Sequence, residues 1–159
     1  MIVMKFGGTS VGNAERIANV ANIVKSNIKR NPVVVVSAVT KITDSLIRLG
    51  KECAAGMGNK TLEHIKKTHY EILTQLRMDK KLLDEDIKEL ENLVSNAKSS
   101  KIIDEKMLDY FQSFGERMSS KIVAEQLNRI GVKSRSFDSW QLGCLTASEF
   151  GSAEPLETA

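Results

Sequence analysis

The chain has 159 residues, 42% hydrophobic and 27% charged, the balance of an ordinary globular domain of roughly 100–200 residues. With only 10 glycines and 2 prolines, that composition excludes intrinsic disorder and a collagen-like or Pro/Gly-rich chain. A net charge of +3, from 23 basic and 20 acidic residues, argues for neither nucleic acid nor an anionic membrane as partner. Cys53 and Cys144 match no metal or redox spacing and read as two free thiols in a reducing, cytoplasmic setting. The opening Met1-Ile2-Val3-Met4-Lys5 has no basic stretch followed by a long apolar one, so no signal peptide is indicated. The longest apolar run, Val33–Val36, is strand-sized and far short of the roughly 20 residues of a membrane span.

Ile2–Phe6 is a short β-prone run stopped by Gly7-Gly8. A helix comes next, with Asn13 as its cap and Ile17, Val20, Ala21, Val24 and Ile28 on one face. Asn31-Pro32 breaks it, and Val33–Val36 is apolar on both faces, as a buried parallel strand would be. The first 36 residues therefore read β-α-β, with a right-handed crossover making the strands parallel. Another helix starts near Thr43-Asp44 and runs toward Ala54-Ala55, and Gly56 and Gly58 mark a loop. From Thr61 to about Ser99 the chain is charged and helical in period, with a junction at Asp79-Lys80. A long helix runs from about Asp104 to Arg129 over a stripe of Met107, Phe111, Phe114, Met118, Ile122 and Leu127, with Gly131 as its C-terminal cap. Val132–Phe137 and Gln141–Thr146 read as two further strands. The class is α/β, with a helical block at about 61–130 set in a parallel-sheet framework.

In open α/β sheets, ligands bind at the carboxyl ends of strands. Two such ends, Gly7-Gly8-Thr9-Ser10 and Ser37-Ala38, carry only small or hydroxyl residues. Paired glycines after a strand let backbone N–H groups approach an anion, and the next helix N-terminus and Lys5 add positive potential. The pattern suits a phosphate but is neither a Walker A loop nor Gly-x-Gly-x-x-Gly, and a tight turn beside a solvated lysine would look the same. His64 and His69 do not share a helix face, so no joint metal site is expected and His69 reads as a packed core residue.

Lys5-Phe6-Gly7-Gly8-Thr9-Ser10-Val11 resembles the opening signature of the aspartate kinases, in the amino-acid kinase family. Two further stretches resemble that family in order: Val34-Val35-Val36-Ser37-Ala38 with Thr43-Asp44-Ser45-Leu46 after it, and Phe114-Gly115-Glu116-Arg117-Met118-Ser119. The segment from Asp138-Ser139 to Phe150-Gly151-Ser152-Ala153 is similar to the next stretch of the family's chains. Where many members have glycine or proline after Ser-Ala, this chain has Val39-Thr40-Lys41.

The resemblance implies the N-terminal, acceptor-side part of a three-layer α/β/α sandwich with a mainly parallel sheet, filling residues 1–159. The nucleotide-base half, an Arg-Gly-Gly-Ser-Asp motif and ACT regulatory domains would lie beyond it. It implies transfer of the ATP γ-phosphoryl group to the side-chain carboxylate of L-aspartate, with Mg²⁺ carried by ATP and not by protein ligands. Lys5 would be the catalytic cation, and Lys5, Gly7, Gly8, Thr9 and Ser10 would bind phosphate. Ser37 and Thr43 would offer hydroxyls to the substrate, and Glu116 would hold its α-ammonium group. Each has another reading: Glu116 a solvated helix residue, Thr43 a helix N-cap, Ser37 a strand end. Gly115 weighs toward function, because a helix-interior glycine costs about 1 kcal/mol and marks close approach. Other expectations are L-aspartate and ATP as ligands, no nucleic acid or membrane partner, no turnover by this chain alone, and self-association through uncovered sheet edges. The alternatives are another amino-acid kinase, such as one acting on glutamate or acetylglutamate, and a non-catalytic module that binds a small acid or pairs with a full-length kinase.

Overall fold

The computed structural model describes residues 1–156; the last three positions of the unit expected at 1–159 lie outside the described residues. Strand β1 (Ile2–Phe6) leads into helix α1 (Ala14–Ser26) and strand β2 (Pro32–Val36). Helices α2 (Ile42–Ala54), α3 (Asn59–Gln75), α4 (Asp84–Ser100) and α5 (Glu105–Arg129) come after them. The strands pair in parallel, Ile2 opposite Pro32 through Phe6 opposite Val36, as the β-α-β pattern requires.

Each helix has a local cause. The Asn13 side chain accepts from the Arg16 N–H and starts α1, which buries Ile17, Val20, Ala21 and Val24. Asp104 accepts from the Met107 N–H and starts α5. Asp84, Glu85 and Asp86 open α4, where acidic residues complement the helix dipole. Gly131, at φ +84°, lies just past the end of α5 and the Val132 N–H returns to the Leu127 carbonyl, so the expected glycine stop is present. Helix α5 packs on α1, α2, α4 and β2, and its Phe111, Phe114, Met118 and Ile122 are fully buried at the centre of the core.

Met4, Phe6, Val34 and Val36 pack against this core. The opposite face of the sheet is open: Val3 is 65% exposed, Val33 42% and Val35 43%. The expectation that Val33–Val36 is buried on both faces is therefore not met, because the described helices cover one side of the sheet.

Two other expectations are corrected. Val132–Phe137 alternates in burial with the period of a strand, but forms no ladder. The Asn128 side chain takes both backbone groups of Ser134, accepting from its N–H at 2.9 Å and donating to its carbonyl at 3.1 Å. A cleft of about 370 Å³ lies between this segment and Val33, Val34 and Val36 of β2. Gln141–Thr146 is not a strand either. Ser139–Leu142 is a short 3-10 turn, pinned by the Asp138 N–H donating to Gln141 Oε1 and ended by Gly143 at φ +78°. Beyond it the chain pairs with itself, Thr146 bridging Pro155.

Candidate functional site

The carboxyl ends of β1 and β2 lie side by side. The ladder runs one bond past the strands, from the Ser37 N–H to the Phe6 carbonyl at 3.0 Å. Past that point Ser37 and Ala38 have no strand partner, and α5 supplies one. Ser119, fully buried, donates its hydroxyl to the Ser37 carbonyl at 2.7 Å. Glu116 Oε1 accepts from the Ala38 N–H at 3.0 Å and lies 3.5 Å from the Ser37 hydroxyl. Gly115 makes this possible: a Cβ there would sit 2.6 Å from the Ala38 Cβ. Residues 115, 116 and 119 thus dock one turn of α5 onto the end of β2, satisfying backbone groups that burial would otherwise leave unpaired.

At the end of β1, the Ser10 N–H closes a turn onto the Gly7 carbonyl at 2.8 Å. The Gly8 carbonyl accepts from the Thr40 hydroxyl at 2.9 Å and the Thr9 carbonyl from the Arg16 guanidinium at 2.8 Å. Gly8 has no room for a side chain, since a Cβ would sit 2.9 Å from the Ala38 carbonyl oxygen. Thr9, Ser10 and Arg16 line an open cleft of about 330 Å³ beside α1. Turn and cleft together present backbone N–H groups and a cation, which suits an anion.

The structure brings Gly8, Ser37 and Glu116 into one place, through Ala38 and Thr40. It leaves Lys5 and Thr43 apart. Lys5 is exposed on the open sheet face, alongside Val3 and opposite Val35, and makes no side-chain hydrogen bond or ion pair among the described residues. Thr43 is not the N-cap of α2. That place belongs to Lys41, held at φ +66°, and Thr43 sits half-buried in the first turn. Thr40, Arg16 and the role of Ser119 were not read from the sequence. The only signal for Thr40 was the unusual Val39-Thr40-Lys41 stretch.

Behind Glu116, the neighbouring Arg117 turns toward α4. It pairs with the fully buried Asp86 at 3.3 Å and with Glu89, and Lys121 pairs with Asp86 at 2.6 Å. The hydrogen bond from Arg117 holds the Glu89 carboxyl below its ordinary pKa, and Tyr110 also donates to Glu89. The Arg117 guanidinium lies over Phe114, 4.5 Å from the ring centroid. His69 is fully buried, with Nδ1 2.8 Å from the Ile65 carbonyl and Nε2 without a hydrogen-bond partner. Burial lowers its pKa, so it packs as a neutral ring, in line with its reading as a core residue. Cys53 and Cys144 are both free. Among the described residues no group of three or more His, Cys, Asp or Glu side chains could hold a metal ion, and no helix is long and apolar enough to cross a membrane.

A parallel β-α-β start, a glycine turn at the end of β1 and a helix docked on the end of β2 define an α/β fold with a candidate ligand site at the strand ends. Residues 1–157 match the amino acid kinase family, and the chain belongs to that family. It is 37% identical over 160 residues to aspartokinase 3, chloroplastic, of Arabidopsis thaliana, covering 98% of this chain and 29% of that protein. It is 32% identical over 156 residues to lysine-sensitive aspartokinase 3 of Escherichia coli, covering 98% of this chain and 34% of that protein. The fold superimposes on E. coli aspartokinase III in complex with aspartate and ADP with a TM-score of 0.84, at 32% identity, over 98% of this chain and 34% of that one. The same protein in complex with lysine and aspartate gives a TM-score of 0.84. The chain thus spans about a third of the length of the relatives it matches.

Proposed function

We propose that this chain is the acceptor-side portion of an aspartate kinase, which transfers the γ-phosphoryl group of ATP to the side-chain carboxylate of L-aspartate. The carrying observation is the docking of the Gly115-Glu116 turn of α5 onto Ser37-Ala38, which places a carboxylate beside the phosphate-type turn of β1. An acceptor carboxylate with an ordinary pKa of about 3.9 is already ionised at neutral pH and needs no general base. The obstacle is its repulsion from the polyphosphate, so catalysis rests on positioning and on positive electrostatics.

Glu116 engages the chain through Oε1, and Oε2, which makes no hydrogen bond among the described residues, would receive the substrate α-ammonium group. The Ser37 hydroxyl stands next to it, and Thr43 lies in the first turn of α2. Among the described residues the N–H groups of Gly8 and Thr9 donate to no other backbone group, which fits a phosphate at Gly7–Ser10. Lys5, apart from the turn on the open sheet face, would add positive potential at the end of β1 and no direct contact to the turn. Bound ATP with its Mg²⁺ would supply the phosphoryl group and part of the charge neutralisation. The reading carries with it lysine, threonine and methionine biosynthesis and a cytoplasmic location. It also includes association, with itself or with the rest of a kinase domain, through the open face of Val3, Val33 and Val35.

Titration of the chain with L-aspartate, L-glutamate and N-acetylglutamate, monitored by amide NMR, tests the assignment. Aspartate is expected to shift Ser37, Ala38 and Glu116 in preference to the other two, and Glu116→Gln to remove the response. Preference for glutamate or acetylglutamate would move the chain to another member of the family. A coupled ADP-release assay on the same chain is expected to show no aspartate-dependent turnover; clear turnover would refute the acceptor-side reading.

A further inference from the structure

We propose that Thr40 is a positioning residue for phosphate recognition, acting through the Gly8 carbonyl. This rests on the reading of Gly7–Ser10 as a phosphate turn. Three consecutive carbonyls of that turn are each held: Gly7 by the Ser10 N–H at 2.8 Å, Gly8 by the Thr40 hydroxyl at 2.9 Å, and Thr9 by the Arg16 guanidinium at 2.8 Å. The described chain has no cis peptide bond. In a trans peptide the carbonyl and the next N–H point in opposite directions, so holding one aims the other. Holding the Gly7 carbonyl aims the Gly8 N–H, and holding the Gly8 carbonyl aims the Thr9 N–H.

These two peptide planes are not equally secure. The first is closed by the backbone of the turn itself. The second, between Gly8 and Thr9, has the Thr40 hydroxyl as its hydrogen-bonded restraint. Glycine is permissive enough for that plane to rotate, and a rotated plane would present a carbonyl oxygen to an anion. The surroundings are shaped around this contact. A Cβ at Gly12 would overlap the Thr40 hydroxyl, and a Cβ at Gly8 would press on the Ala38 carbonyl at 2.9 Å. Thr40 lies two residues past Ala38, whose N–H is held by Glu116. The latch therefore sets the phosphate turn against the same strand end that carries the acceptor site.

The test is a titration of the 159-residue chain with inorganic pyrophosphate, read at the Gly8 and Thr9 amides by NMR. Thr40→Val keeps the shape and removes the hydroxyl, and Thr40→Ser restores it. Gly12→Ala leaves the hydroxyl present but displaces it. In the wild type both amides are expected to shift. Thr40→Val should move the free Thr9 resonance and weaken pyrophosphate about five-fold, the scale of one neutral hydrogen bond, and Thr40→Ser should recover most of the loss. Gly12→Ala should reproduce the loss and add little to it in the Thr40→Val background. Equal affinity in the wild type and Thr40→Val, or full affinity in Gly12→Ala, would overturn the role of Thr40 while leaving the phosphate turn standing. Absence of any shift at Gly8 and Thr9 in the wild type would overturn both.

Discussion

Gly115→Ala adds one methyl where α5 crosses the end of β2. Its Cβ would lie 2.6 Å from the Ala38 Cβ and 3.4 Å from Leu46 Cδ1. Carbon atoms rest at about 3.5–4.0 Å, so helix or strand end must retreat by about 1 Å. Ala38 is 2% exposed and Leu46 fully buried, which leaves neither free to move aside. Overpacking of this kind costs about 1–3 kcal/mol. Alanine recovers about 1 kcal/mol over glycine in a helix interior, so the net loss is about 1 kcal/mol. For a chain of this size that lowers Tm by about 2–4 °C. The larger effect is local. A retreat of that size carries the Glu116–Ala38 bond, now 3.0 Å, and the Ser119–Ser37 bond, now 2.7 Å, beyond reach. Thermal unfolding by circular dichroism, with hydrogen exchange at the Ala38 amide, measures both. Gly7→Ala is the control, because its Cβ would meet nothing within 4 Å. A rise in Tm for Gly115→Ala with Ala38 protection unchanged would mean that helix propensity decides the position and close approach does not.

Stability should fall on acidification below pH 6.5, the ordinary pKa of histidine, because His69 then takes up a proton in the unfolded chain but not in the folded one. Urea midpoints compared at about pH 7.5 and 5.5 should show this fall in the wild type and a smaller one in His69→Gln, since Glu89, also depressed, acts only in the carboxylate range lower down. An unchanged slope in His69→Gln would place the titration elsewhere. Asp86→Ala removes a fully buried carboxylate that pairs with Arg117 and Lys121 and should cost about 3 kcal/mol, whereas Glu89→Gln, at a more exposed end of the cluster, should cost under about 1 kcal/mol. Denaturant unfolding that ranked them the other way would contradict the burial assigned to Asp86. Light scattering over a concentration series should show association that weakens in Val33→Lys, and a monomer at every concentration would remove the open sheet face as its cause.

Periodicity and punctuation carried most of the fold. The β-α-β start, the junction at Asp79-Lys80, the Asp104 start of α5 and the Gly131 stop all arise from nearest-neighbour chemistry, and each is present. Helix α1, by contrast, ends at Ser26, ahead of the expected break at Asn31-Pro32, and Ile28 lies beyond it in a 3-10 turn, 45% exposed. Gly115 was legible for the same reason, because a helix-interior glycine declares its own cost. The ordered glycine, Ser-Ala and Gly-Glu motifs likewise marked the family before any geometry was known. The misreadings share a different cause. Val132–Phe137 has a strand's alternation, but Asn128 had already taken the ladder groups of Ser134. Val33–Val36 is apolar on both sides, but the number of faces that are covered depends on what else packs there.

By itself, then, the sequence determined the β-α-β start, the helical segments after it and which short motifs stand at the strand ends, because those depend on residues within one or two helical turns. Only the tertiary structure decided that Glu116 is held by Ala38, that Ser119 takes the Ser37 carbonyl, and that Thr40 reaches back 32 positions to Gly8. Those are hydrogen bonds between segments far apart along the chain. Their partners are chosen by which unpaired backbone groups the packing brings within 3 Å or so, and no local pattern encodes that choice.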